Sequence, residues 1–166
     1  SLNPIGRIPT LTEGDMVICE SAAICLYLAE SNPKSKLVPE IGGPNRAKFL
    51  QWLMYLTNTL QTELMVYFYP EKYTTIGTET VIANQEERLT QLLSLLDNEL
   101  AGKNYLIGQS VTICDYYLFM LAVWADELQK PPLSFGNLSK YLQGLAKRDA
   151  IINVCKKENL SLDDYE

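Results

Sequence analysis

Histidine is absent from this chain, and that absence removes most zinc-site designs and every histidine-based catalytic triad. Cysteine is sparse: the four, Cys19, Cys25, Cys114 and Cys155, are scattered within apolar runs and form no Cys-x-x-Cys motif. That usage points to reduced, buried thiols in a cytoplasmic protein and gives no reason to propose a metal. Positive charge is also short, with 14 Lys and Arg against 20 Asp and Glu, a net charge of −6. Binding to a phosphate backbone needs clustered cations, so nucleic acid is not an expected partner. No run approaches the roughly 18–20 apolar residues of a membrane span, and no basic-then-apolar leader is evident, so no membrane association is expected. What remains is an ordinary globular balance, 47% apolar and 20% charged, over 166 residues. A chain of this size buries enough surface to fold without disulfide staples.

The opening residues carry the strongest local signals. Ile8-Pro9-Thr-Leu-Thr reads as one arm of a β-hairpin, Glu13-Gly14-Asp15 as its turn and Met16-Val-Ile-Cys19 as the other arm. Pro9 ends ladder pairing and restricts Ile8, leaving main-chain groups there for a ligand. Ser21 opens an apolar run to Leu28, which makes it an N-cap candidate at a helix start that favours carboxylates. The helix is expected over Ser21–Glu30, stopped by Ser31-Asn32-Pro33. Main chain on one side and a helix start on the other suit an anionic, peptide-like ligand. Two strands alone are marginal in water, so the hairpin must pack on something.

Residues 33–44, rich in Pro, Gly, Lys and Ser, read as a linker between a unit at 1–32 and one at 45–166. Beyond it the pattern is almost entirely helical. Phe49, Trp52, Leu53, Leu56, Leu60 and Leu64 recur at spacings of three and four, and Leu89, Leu92, Leu93, Leu96 and Leu100 repeat that spacing from Gln85 onward. Thr112 and Asp115 form a capping box, with Val111 and Tyr116 as its hydrophobic staple. The helix behind it presents Ile113, Tyr116, Tyr117, Met120, Leu121 and Trp124 and is expected to be the most buried, Trp124 included. A last helical region, Leu138 through Lys157, is expected to bury Ile151, Ile152 and Val154 among others, and the acidic tail Glu158–Glu166 to be loosely held. The aromatics Trp52, Tyr55, Tyr67 and Tyr69 fit either core packing or the lining of a pocket for an apolar co-substrate.

Asn3-Pro4-x-Gly6-x-Ile8-Pro9-x-Leu11, Glu20-Ser21-x-Ala23-Ile24-x-x-Tyr27-Leu28, the Pro/Gly linker and Thr112-Ile-Cys-Asp115 together resemble the cytosolic glutathione transferases, from residue 2 to about residue 155. The resemblance implies a mainly α fold: an all-helical glutathione-transferase C-terminal domain preceded by a partial thioredoxin-like α/β unit, a β-hairpin plus a helix. It implies glutathione as the substrate. The proline matching Pro9 is cis in that family, and the backbone matching Ile8 pairs with the cysteinyl main chain of glutathione. The pair matching Glu20 and Ser21 holds the γ-glutamyl end, Ser21 gripping its carboxylate; the alternative for Glu20 is an ordinary surface carboxylate. Arg7 is either a charge partner for the glycyl carboxylate or a solvated surface group.

A complete family member opens with a strand, a helix and a strand, and its sulfur-activating Tyr, Ser or Cys lies near that first strand. The sequence begins at the match to the third strand, so no residue of it is expected in the catalytic role and the chain by itself is expected to be inactive or impaired. In complete form the expectation is conjugation of glutathione to apolar electrophiles by a homodimer joined through the first helices of the α domain. The hairpin edge left unpaired is expected to meet another copy or to be covered by chain. The alternative is a non-catalytic protein of the same fold that serves as an interaction scaffold.

Overall fold

The computed structural model describes residues 2–166. Two short antiparallel strands, β1 (Thr10–Glu13) and β2 (Met16–Cys19), pair in register Thr10 with Cys19 through Glu13 with Met16. The two-residue connection places Gly14 at φ 57°, where glycine pays no Cβ penalty. Helix α1 (Ser21–Ser31) follows and packs against both strands, which supplies the support a lone hairpin lacks. The Asn32-Pro33 step then ends it, as the restricted residue before a proline requires.

The connecting segment is tied down at both ends. Arg46 donates to Pro39 O at 3.1 Å and pairs with Glu30 of α1 at 3.1 Å, while Leu37 O accepts the Ile113 N–H at 3.0 Å. The rest of the chain is helical: α2 (Arg46–Tyr55), α3 (Gln61–Phe68), α4 (Thr78–Glu99), α5 (Ile113–Trp124), α6 (Gly136–Ala146) and α7 (Asp149–Glu158). Between α2 and α3, Leu56–Leu60 is wound as a π-helix, so the axis runs on without a break but with a widened turn. The hairpin-plus-helix unit and the helical remainder are the architecture that the resemblance implies.

Phe49, Leu53, Leu56, Leu60, Leu64, Leu89, Leu93, Leu96, Leu118, Leu121 and Leu138 are all almost fully buried and form one continuous core. Helix α5 runs through it, its start fixed by the capping box. Asp115 is fully buried and accepts four hydrogen bonds, from Leu106 N (2.8 Å), Thr112 N (2.6 Å), Thr112 Oγ1 (3.0 Å) and Tyr141 Oη (2.7 Å). Asp97 of α4 does the same at the start of α6, accepting from Asn137 N and Leu138 N at 2.7 and 2.9 Å. Asp97 serves N–H groups of the first turn of α6, and Asp115 those of the cap residue Thr112 and of Leu106 in the loop before α5.

Several expectations are corrected here. Ser21 is not the N-cap: it is the first residue of α1, and Glu20 occupies the cap position with no side-chain cap bond. Trp124 is 37% exposed, because it lies on the outer face of the last turn of α5 while Leu121, Ala122 and Ala125 stay in the core, and Ile152 and Val154 are exposed on α7. Helix α5 is buried nearly all round, through Cys114, Leu118, Phe119 and Ala122 as well as the expected stripe. Cys114 and Cys155 are buried as expected, but Cys19 and Cys25 are only half-buried. The last helical region is two helices, α6 and α7. The tail is anchored: Tyr165 is buried, and its hydroxyl donates to Asp126 Oδ2 at 2.6 Å.

Candidate functional site

The loop before β1 is held by one side chain. Asn3, itself buried, donates from Nδ2 to Arg7 O at 2.7 Å and accepts from Ile5 N at 2.9 Å. Gly6 sits at φ 69° and donates its N–H to Asn3 O at 2.9 Å. This brace presents Arg7 and Ile8 at the surface, and Ile8 is 95% exposed. The Ile8–Pro9 peptide bond is cis, as the resemblance implies. No main-chain hydrogen bond engages Ile8 among the described residues. An exposed β-branched residue with idle backbone groups is what a ligand that pairs as a short strand requires.

Glu20 stands at φ 70°, ψ 112°, a conformation sparsely populated by non-glycine residues. The twist turns the chain from β2 straight into α1, and Glu20 O accepts the first intrahelical bond from Ile24 N at 3.0 Å. The leading N–H groups of α1 receive no side-chain cap and no acidic residue in the first turn. They point where an anion would be favoured. Ser21 turns its hydroxyl away from a capping geometry and toward α5, where its Oγ lies 2.6 Å from Tyr117 Oη. Tyr117 in turn donates to Gln61 Oε1 at 2.6 Å. Burial pushes the Tyr117 phenol above its ordinary value, against a smaller opposing effect of the Ser21 hydrogen bond, so it keeps its proton at neutral pH.

A cavity of about 560 Å³ lies between α1 and α5, lined by Pro9, Ser21, Cys25, Tyr116, Tyr117 and Met120 among others. Its lining is almost wholly apolar. Of the five predicted site residues it brings together Pro9 and Ser21; Arg7, Ile8 and Glu20 lie outside its walls. The aromatic cluster does not line it. Trp52 is buried edge-to-face against Tyr55 at 5.1 Å, and Tyr69 is an exposed ring beneath Lys72 Nζ. The pocket aromatics are instead Tyr116, partly buried, and Tyr117, buried, both on α5. Burial raises the thiol of Cys25, in the wall, above its ordinary value, which disfavours the reactive thiolate.

Tyr117 and Gln61 were not singled out as site residues by the sequence. Tyr117 reads as one more apolar position of a buried helix, and only its hydroxyl, reaching across to residue 21, distinguishes it. Gln61 follows the π-helical segment, which no residue pattern announces. Among the described residues no group of three or more His, Cys, Asp or Glu could hold a metal, and no helix is long and apolar enough to cross a membrane.

Comparison with known proteins bears on the whole arrangement. Residues 57–149 match the family model of the glutathione S-transferase C-terminal domain, more than half of the chain, and residues 1–30 match that of the N-terminal domain. Glutathione S-transferase GstA of Escherichia coli O157:H7 is 29% identical over 164 residues, covering 96% of this chain and 78% of that protein. The GST-like protein YncG of Escherichia coli K12 is 30% identical over 125 residues, 75% of this chain and 60% of that protein. A sphingomonad glutathione S-transferase solved in complex with glutathione superposes with a TM-score of 0.85 at 28% identity, covering 96% of this chain and 78% of that one. A Sulfitobacter homologue with bound glutathione gives 0.86 at 23% identity, a likeness of fold. The cis Ile-Pro loop, the twisted Glu-Ser junction and the capped central helix thus sit in a chain that belongs to the cytosolic glutathione S-transferase family.

Proposed function

We propose that this chain holds glutathione between the Ile8-Pro9 loop and the start of α1, for addition of the glutathione sulfur to a small apolar electrophile. The observation that carries the reading is the pairing of idle Ile8 main-chain groups with an uncapped helix start at Ser21, on a strained Glu20. Ile8 pairs with the cysteinyl backbone. Ser21 and the first N–H groups of α1 hold the γ-glutamyl carboxylate, where the helix dipole favours negative charge. Glu20 faces the γ-glutamyl amine, and Arg7 the glycyl carboxylate. The sphingomonad relative solved with glutathione supports the same ligand here. The apolar wall of Tyr116, Met120 and Cys25 suits an apolar second substrate.

No side chain of this chain is assigned the task of lowering the sulfur pKa, so binding and turnover are separate questions. The chain is inferred to bind glutathione and, on its own, to conjugate it slowly or not at all. It is also inferred to form a homodimer, because Leu50 and Met54, four apart on α2, and Leu95 on α4 are 40–47% exposed. Exposed apolar residues on the helical domain suit a subunit interface. Thermal melting with and without millimolar glutathione tests the reading: a melting point that rises with glutathione concentration supports it. No shift with glutathione, together with retained folding, favours the scaffold role over the enzyme.

A further inference from the structure

Tyr117 Oη is the middle of a three-group chain whose proton order can run either way. It lies 2.6 Å from Ser21 Oγ and 2.6 Å from Gln61 Oε1. Each hydroxyl carries one proton. With the Gln61 oxygen facing Tyr117, the phenol proton goes to Gln61, and Ser21 must donate to Tyr117. That order consumes the only proton Ser21 has. A carboxylate accepts and never donates, so it needs that proton turned outward.

The opposite order costs no bond. If Gln61 presents Nε2, it donates to Tyr117, Tyr117 donates to Ser21, and the Ser21 proton is free. The two orders differ by two hydroxyl rotations and one amide flip, with the heavy atoms in place. No other hydrogen bond fixes the Gln61 amide among the described residues. The π-helical segment Leu56–Leu60 immediately precedes Gln61, so the register that aims it at α5 is set by that widened turn.

We infer that Tyr117 is a positioning residue for the glutathione carboxylate, acting through Ser21: arrival of the anion reverses the chain to Gln61→Tyr117→Ser21→carboxylate. The inference rests on the reading of Ser21 as the γ-glutamyl contact. Aligned donors polarise one another, so Tyr117 makes the Ser21 hydroxyl a better donor than solvent would. The phenol is held neutral by burial, which keeps its proton available for either order.

The test is calorimetric titration of the full chain with glutathione and with 4-aminobutyryl-cysteinylglycine, which lacks the γ-glutamyl carboxylate. Ser21→Ala is expected to weaken glutathione about tenfold or more, the scale of a hydrogen bond to a charged group, and to leave the analogue nearly unchanged. Tyr117→Phe is expected to weaken glutathione about two- to tenfold and the analogue not at all, and to have no further effect in the Ser21→Ala background. Gln61→Glu, which can only accept, locks the Ser21 proton inward and is expected to cost glutathione about tenfold while sparing the analogue. Should Ser21→Ala weaken glutathione while Tyr117→Phe leaves it unchanged, or costs the same in both backgrounds, Tyr117 is interface packing and the inference falls with the Ser21 reading intact. Should the unsubstituted chain not bind, or Ser21→Ala bind as well as the parent, the Ser21 reading falls and takes the inference with it.

Discussion

The two ends of this chain are built to different standards. Within residues 2–31 the buried side chains are Asn3, Ile24 and Ala29, each 7–8% exposed, and Ile8, Val17 and Leu28 face outward. From Phe49 onward, leucine after leucine is buried to 2% or less. Apolar burial stabilises in rough proportion to area, so the helical region carries most of the folding free energy and the hairpin unit leans on it. The unit with little core holds the strained Glu20 and the idle Ile8 backbone. The groups proposed to bind sit on the weakly buried part, and rigidity is supplied from behind.

The sharpest way to break that comparison is Asp115→Ala. It strips the partners from Leu106 N, Thr112 N and Tyr141 Oη in a fully buried place, and a loss of about 3–5 kcal/mol in urea unfolding is expected. Next comes a matched pair. Leu118→Ala, at a fully buried position, should cost about 2–5 kcal/mol, whereas Val17→Ala on the outer hairpin face should stay within about 1 kcal/mol. Equal losses at the two sites would show that the hairpin carries as much of the fold as the helices.

Alkaline titration sharpens the same contrast. Burial holds the Cys114 thiol at about 12 against an ordinary 9.0, and the Tyr55 phenol at about 12 against 10.0. Unfolded, both groups release their protons earlier as pH rises. Their contribution to stability is therefore complete below about pH 9 and is lost progressively between pH 9 and 12. The urea midpoint should fall steadily above pH 9, and Cys114→Ala should flatten that fall. The smallest effect concerns Glu20. At φ 70° glycine is unstrained and alanine is not, so Glu20→Gly should exceed Glu20→Ala in stability by about 1 kcal/mol, the reverse of the usual order.

Much of this was legible in the residues. Ile8-Pro9, the Gly14-Asp15 turn and Thr112 with Asp115 announce themselves because each needs a particular backbone chemistry. Periodicity located the core leucines for the same reason. It did not settle which face is buried: Trp124, Ile152 and Val154 are apolar residues on outward faces, beside Ala125, Ile151 and Cys155, which are buried. Tyr165 escaped because one buried ring and one hydrogen bond to Asp126 anchor an otherwise acidic tail. Ser21 was rightly placed at a helix start but one position off, since the cap fell to a residue whose left-handed twist no sequence rule assigns to glutamate. Tyr117 was invisible as a polar contact, because a phenol in an apolar stripe looks like core until its oxygen is located.

One titration bears most directly on the whole account: glutathione injected into the chain at neutral pH, beside the same injection into Ser21→Ala. A saturable heat at one molecule per chain, weakened about tenfold or more by the substitution, is predicted. Heat absent from the parent chain, or identical in both, would contradict it.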